Sequence, residues 1–393
     1  MKNKVLLLLP THSSFMKVDE EILKSAYEVK TIYLQQDVSR KRYFQMIVRA
    51  LLTLIFDHSY QKVLIWFADY HSAPLVLLSK WKKIPSFIFI GGYDAVKYPE
   101  LGMGVYCSRF RGWCAKIALK NCTHIISNHI ALLSSNNTYY KPEGHKDGIY
   151  NLIPGLKTPA SVIFNAVSIS PPAIISEQRL RQVVTAGSTP RFQDFYNKGF
   201  DLLTEIAQRR PDMSFVFVGI DKKWLPELNK IYHFEHLPNI TIYPYLPQKE
   251  FISLLELSSV YAQPSISEGM PNSLMEAMLA GCIPVGSNVA GIPTIIDKYG
   301  YIIDHRDSRE LEKALELALE TDTDRKEISE SIENRFNLQL RKEKLLKLLN
   351  KLITVVLVSQ IVVEPSTPAV GCGLIFTVAK LVSVVHGATP VTV

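Results

Sequence analysis

Two carboxylates, Glu268 and Glu276, are separated by seven residues in the string Pro264-Ser-Ile-Ser-Glu268-Gly-Met-Pro-Asn-Ser-Leu-Met-Glu276-Ala-Met-Leu-Ala-Gly281-Cys-Ile-Pro-Val285. The local pattern predicts where they sit. Val260 to Pro264 reads as a short apolar strand, Ser265 to Pro271 is dense in turn formers, and Asn272 to Ala280 has helical character ending at Gly281. A strand that feeds a helix through such a loop leaves the helix N-terminus open, where unpaired N–H groups and the positive end of the dipole favour an anion. Gly269 lets the loop backbone approach a ligand closely, since no Cβ intervenes. Glu268 then lies in the loop and Glu276 about one turn into the helix. Both carboxylates can face one cleft and accept hydrogen bonds from vicinal hydroxyls of the kind that sugars and ribose carry. Ser273-Leu-Met-Glu276 also fits a capping box, in which the glutamate only satisfies an orphan backbone donor.

Two strand-helix series carry this junction and whatever faces it. In the first half, Val5 to Leu9, Val63 to Phe67, Phe87 to Ile90 and His124 to Ile126 are continuous apolar runs, as expected for parallel strands covered on both faces. Ser161 to Val167 reads as a last strand entering the linker Ser-Ile-Ser-Pro-Pro. The second series comprises Gln182 to Ala186, Ser214 to Val218, Ile240 to Tyr243, Val260 to Pro264, Ile283 to Val285 and Tyr301 to Ile303. The chain of 393 residues is long enough for two domains with separate cores. The fold class expected is α/β, with two Rossmann-like αβα domains facing across a cleft.

The whole motif, with its Pro-Ser-x-x-Glu-Gly lead and its Ala-x-Gly-x-Pro-Val exit, resembles the signature of glycosyltransferase family 4, a retaining family of GT-B fold, and the resemblance covers most of residues 1–352. It implies an acceptor-binding domain at 1–167, a nucleotide-sugar domain at 178–323 and a helix at 324–352 crossing back to the first. By the same resemblance Glu276 meets the ribose hydroxyls, and Glu268 lies near the transferred sugar. Gly269, Met270, Pro271, Asn272, Ser273 and Leu274 then run along sugar and diphosphate. Lys198, in Lys198-Gly199, and Arg191 match the cations that hold the leaving diphosphate, while Gly187, ending the first strand of the second series, lets backbone touch phosphate. Positive side chains and a helix dipole can stabilise a departing nucleotide without a metal or other cofactor. Asp322-Thr-Asp324, the single Asp-x-Asp string, lies beyond the last strand and reads as a helix-capping loop.

On the acceptor side, Gly91-Gly92-Tyr93-Asp94 follows a strand and so lies at the carboxyl end of its sheet. Family members often carry a His in this region, so Asp94 is the candidate for that place, with an Asx turn as its plain alternative and His71 as a second candidate. The activity implied is transfer of a sugar, with retention, from a UDP- or GDP-sugar to a saccharide or lipid-linked saccharide in cell-surface polysaccharide biosynthesis. A nucleotide-sugar epimerase of the same fold and a non-catalytic nucleotide-sugar-binding subunit are the alternatives. Neither sheet has Gly-x-Gly-x-x-Gly after its first strand, which argues against a nicotinamide dehydrogenase.

Charge and composition bound the partners. Residues 1–157 hold 21 Lys/Arg against 11 Asp/Glu, whereas the whole chain is +7, so the basic half is the one to meet an anionic membrane surface or an acidic acceptor. Aromatic-basic interleaving of the nucleic-acid-binding kind is missing. The segment Lys41 to Phe56 joins a basic end to a broad apolar face, fitting either a membrane surface or a packed helix. The chain lacks an apolar run of the roughly 18 to 20 residues that span a bilayer, and Val-Leu-Leu-Leu-Leu near the start is too short for a signal peptide. Five cysteines without Cys-x-x-Cys spacing point to reduced thiols in a cytoplasmic protein, peripheral on the inner face of the membrane if bound there. From Ile353 to Val393 the composition turns to Val, Thr, Ser, Gly and Pro with few charges, an atypical tail.

Overall fold

The computed structural model describes residues 3–35, 39–172, 175–176 and 178–361, with side chains described as far as residue 351. Residues 1–343 form one compact unit. Its first sheet begins with β1 (Lys4–Leu9), β2 (Glu28–Tyr33), β3 (Tyr60–Trp66), β4 (Ser86–Ile90) and β5 (His124–Ser127). A small antiparallel hairpin of β6 (Ser135–Asn137) and β7 (His145–Asp147) follows, and β8 (Ala160–Val162) completes the sheet in the order β2-β1-β3-β4-β5-β8, all parallel. The apolar runs in β1, β3 and β4 are buried because helices cover both faces. β2 lies at the edge and is only half-buried, so its sequence alternates and escapes a search for continuous apolar strands. The strand expected over 161–167 is shorter than its apolar run. Only Ala160–Val162 pairs in the sheet, and Val167 bridges instead to Asn337.

The second sheet comprises β9 (Leu180–Ala186), β10 (Ser214–Val218), β11 (Ile240–Tyr243), β12 (Ser258–Gln263), β13 (Ile283–Ser287) and β14 (Tyr301–Ile303). Its order, β11-β10-β9-β12-β13-β14, is that of a dinucleotide-type Rossmann sheet, and every pairing is parallel. Each sheet has its own hydrophobic core. The strand order reverses between β1 and β3 in one sheet and between β9 and β12 in the other, and ligands of open α/β sheets bind outside the carboxyl ends at such points.

The helix expected over 324–352 is two helices, Arg325–Arg335 and Leu338–Ile361. Asp324 caps the first, accepting from the N–H of Lys326 at 2.9 Å and of Glu327 at 3.3 Å. The start of the second returns to the first domain through Arg341. Its guanidinium binds Asp19 twice, at 2.6 and 2.7 Å, and donates to the carbonyls of Ile163 and Phe164. The expectation for the tail falls mostly on residues 362–393, outside the described residues.

Candidate functional site

A cleft of about 670 Å³ lies beyond the carboxyl ends of both sheets, a size that suits a drug-sized or nucleotide-sized ligand. Its second-domain wall is built by the loops after β9 and β12. Gly187 and Ser188 leave β9, and Glu268, Gly269, Met270, Pro271, Asn272 and Ser273 lead from β12 into the helix Asn272–Leu279. That helix has Pro271 at its N-cap and no side-chain cap, so its first N–H groups are left to a ligand or water. The capping-box alternative is therefore not realised: Ser273 sits inside the helix, where its hydroxyl reaches Gln263 at 3.4 Å.

Lys198 reaches the cleft from a chain reversal. A short helix, Asp194–Asn197, ends at Lys198, and Gly199 turns the backbone left-handed at φ +76°. A Cβ there would come within 2.5 Å of the Pro264 carbonyl, so the turn fits tightly only with glycine. The Lys198 Nζ then donates to Glu268 Oε1 at 2.6 Å. Gln263, at the end of β12, ties the same carboxylate from below, its Nε2 donating to Glu268 at 3.2 Å and to Ser265 at 2.8 Å. A cation and a carboxylate are thus held side by side at the switch point of the second sheet.

Glu276 lies one turn further along and does not itself line the cleft. It accepts from Gln248 Nε2 at 3.2 Å, and Gln248 opens the helix that supplies Phe251 to the cleft wall. Burial pushes the Glu276 carboxyl up to about 7, a rise that the bond from Gln248 partly offsets. Leu274 packs wholly in the core.

Two candidates turn away from the cleft. Arg191 binds Asp194 at 2.5 Å, donates to the Gly102 carbonyl and lies over the Tyr93 ring at 5.8 Å, so it joins the two domains rather than facing a phosphate. Asp94 is fully buried and accepts from the N–H groups of Ala68, Gly91 and Gly92 at 2.9, 3.0 and 3.2 Å. Burial lifts its carboxyl to about 6 against these three donors. Asp94 ties together the loops after β3 and β4, and its donors lie before it or on the neighbouring loop rather than two residues on, so this is not the Asx turn either. His71 is buried as well, bonded to the Tyr43 hydroxyl at 2.7 Å and the Trp66 carbonyl at 3.0 Å.

Other residues that line the cleft have no role assigned from the sequence. Ser13, Ser14 and Phe15 begin the helix Ser14–Ala26, whose N-terminus also opens here. Asn128 and Asn165 are each 4% exposed, and the Oδ1 of each has no hydrogen-bond partner among the described residues. Asn165 donates from Nδ2 to the Met270 carbonyl at 3.1 Å, linking the domains at the cleft floor. Tyr245, Leu246 and Phe251 form an apolar wall that an aromatic base could cover. The signal available in sequence was position alone, in the loops and first helix turns that follow strand ends.

Gly269 also has a structural duty. A Cβ on it would fall 2.2 Å from the Gly91 carbonyl oxygen and 3.0 Å from Asn128 Oδ1, so the two domains touch backbone to backbone here. Gly269→Ala should therefore destabilise the fold by about 2–3 kcal/mol, the cost of forcing an extra methyl into a packed contact, read as a lowered thermal midpoint. Among the described residues there is no cluster of three or more metal-binding side chains, and no helix is long and apolar enough to cross a membrane.

Known proteins share this architecture over most of the chain. The chain has a TM-score of 0.66 with sucrose-phosphate synthase from Thermosynechococcus elongatus, at 14% identity, covering 90% of this chain and 100% of that one. The fold is GT-B. HepE of Anabaena, solved in complex with UDP and glucose, gives a TM-score of 0.64 at 16% identity, covering 88% and 99%. Within this GT-B chain, residues 193–335 match the family described as glycosyl transferases group 1. WcaL of Escherichia coli (strain K12), named for a glycosyltransferase role in colanic acid biosynthesis, is 30% identical over 174 residues, 39% of this chain and 42% of that protein. An uncharacterized glycosyltransferase of Haemophilus influenzae is 26% identical over 219 residues, 51% of this chain and 61% of that protein. The chain thus matches about half the length of these relatives.

Proposed function

We propose that this chain is a retaining glycosyltransferase, moving a sugar from a nucleoside-diphosphate donor to a hydroxyl of a saccharide or lipid-linked saccharide in cell-surface polysaccharide synthesis. The observation that carries the reading is the Lys198–Glu268 pair at 2.6 Å beside an open helix N-terminus at a sheet switch point. The group 1 match over this region and the UDP and glucose held by HepE support a nucleotide-sugar donor.

In this mechanism the bond between the sugar's anomeric carbon and the diphosphate oxygen breaks, and its electron pair leaves with the diphosphate. Lys198 and the N–H groups opening the helix Asn272–Leu279 hold that growing charge. The acceptor oxygen attacks on the face the phosphate has left, and its proton passes to a phosphate oxygen. Glu268 holds Lys198 and faces the sugar hydroxyls, and the Tyr245, Leu246 and Phe251 wall covers the base. Charge is met by side chains and a helix end, with no metal called for. The test is transfer to a simple acceptor followed by NMR of the product's anomeric proton. Retained configuration is expected. Inverted product would overturn the retaining assignment, and donor isomerised without acceptor would indicate an epimerase.

Glu276 gives a pH prediction. In this reading Glu276, one turn behind the cleft-lining Asn272 on the same helix face, meets the ribose hydroxyls of a donor that extends past that wall, so donor affinity should rise with pH through about 7 and become flat in Glu276→Gln. Stability moves oppositely. The unfolded group titrates near 4.5, so between there and about 7 the unfolded chain gives up a proton that the folded chain keeps, and stability falls as pH rises through that window. Glu276→Gln should thus unfold later than the parent by about 1–2 kcal/mol above neutrality and no differently below about pH 4, checked by thermal melts across pH.

A further inference from the structure

The first domain carries a face that the transfer reading does not use. The helices Arg40–Phe56, Ser72–Trp81 and Arg109–Asn121 lie side by side, the middle one packed against both others. On the first, Tyr43, Ile47, Ala50 and Leu54 turn into the core. Phe44, Val48, Leu52 and Phe56, spaced four residues apart, form a second apolar stripe that is 65%, 38%, 46% and 78% exposed. The core already has its stripe, so this one has no partner within the described fold. Trp81 on the middle helix is 78% exposed, and Phe110 and Trp113 on the third are exposed and stacked at 6.3 Å.

Charge decides what covers this face. Residues 40–56, 72–83 and 109–121 together hold eleven Lys and Arg and no Asp or Glu. Three of the eleven are engaged locally, Arg111 by Asp69 at 2.6 Å, Lys80 by the Asn121 amide oxygen at 2.8 Å and Lys82 by the carbonyls of Leu54 and Ile55. A second copy docked by two-fold symmetry would set this basic field against itself. A soluble polyanion would satisfy the cations and leave Phe44, Phe56 and Trp81 in water. An anionic bilayer offers both phases: headgroup charge for the Lys and Arg heads, and an interface where aromatic rings and aliphatic stems settle.

We propose that this three-helix face docks the protein on an anionic lipid bilayer. The proposal does not depend on glycosyl transfer, since its residues lie outside the cleft. If both hold, a lipid-linked acceptor meets the half of the protein that faces the membrane.

The test is co-sedimentation of the full chain with vesicles of phosphatidylglycerol and phosphatidylcholine, against phosphatidylcholine alone, at low and high salt. Binding to the anionic vesicles should be at least about tenfold tighter and should weaken as salt screens the cations. Lys41→Glu/Arg49→Glu and, separately, Phe44→Ser/Leu52→Ser/Phe56→Ser should each reduce it by about tenfold, with the parent's circular dichroism. Should the triple variant unfold, Trp81→Ser probes the same face through one exposed side chain. Equal binding to both lipids, no binding, or binding that survives these substitutions would overturn the proposal. So would a lipid-free dimer that the same substitutions dissociate, which would assign the face to a second copy.

Discussion

Lys198→Ala should lower kcat/KM for sugar transfer by about 10²–10³-fold, the usual loss when one preorganised donor to a developing anion is removed. The side chain reaches the cleft through a turn closed by Gly199 against Pro264, and its ammonium sits 2.6 Å from Glu268. Lys198→Arg should restore little, because a planar fork does not fit a place shaped for a compact ammonium. Arg191→Ala is the informative contrast. Its guanidinium is engaged with Asp194, the Gly102 carbonyl and the Tyr93 ring, so its loss should loosen the contact between domains while leaving transfer within about tenfold of the parent. Steady-state kinetics of the three variants checks this. An Arg191→Ala defect as deep as that of Lys198→Ala would show that the loop after β9 reorganises around the donor.

The largest effect on stability is expected at Arg341→Ala, about 3–5 kcal/mol, measured as a shifted urea midpoint with an unchanged slope. Asp19 is 0% exposed and takes both arms of the guanidinium, with Trp66 Nε1 donating a further bond at 3.2 Å. Removing Arg341 leaves that carboxylate buried without its cation and also frees the carbonyls of Ile163 and Phe164. Asp19→Asn with Arg341→Met should cost much less, since replacing both partners strands no buried charge. A double variant as unstable as Arg341→Ala would place the energy in the two carbonyl bonds instead.

What could be read in advance follows from how local each feature is. The strand, loop and helix around Glu268 and Glu276 were legible because turn residues, helix stop and apolar spacing all lie within one stretch of chain. The sheets were legible from continuous apolar runs, and for the same reason the edge strand β2, which alternates, went unread. Asp94 and Arg191 were placed in the right loops, but which way they face depends on partners far along the chain. Asp94 turns inward because three backbone N–H groups from two loops converge on it, and Arg191 is drawn aside by Gly102 and Tyr93 of the other domain. Gln263, Asn128 and Asn165 gave no signal, since a single amide is unremarkable until folding sets it at the floor of a cleft. Position at a strand's carboxyl end was the cue they shared.

The measurement that tests the central claim most directly is calorimetric titration of the full chain with UDP-, GDP- and ADP-sugars, repeated with Glu276→Ala. The account predicts that sugars of one nucleotide bind selectively and that Glu276→Ala loses about 10²-fold or more of that affinity, as expected for a lost charge-assisted contact. A folded protein that binds none of them, or a Glu276→Ala variant that binds as well as the parent, would contradict it.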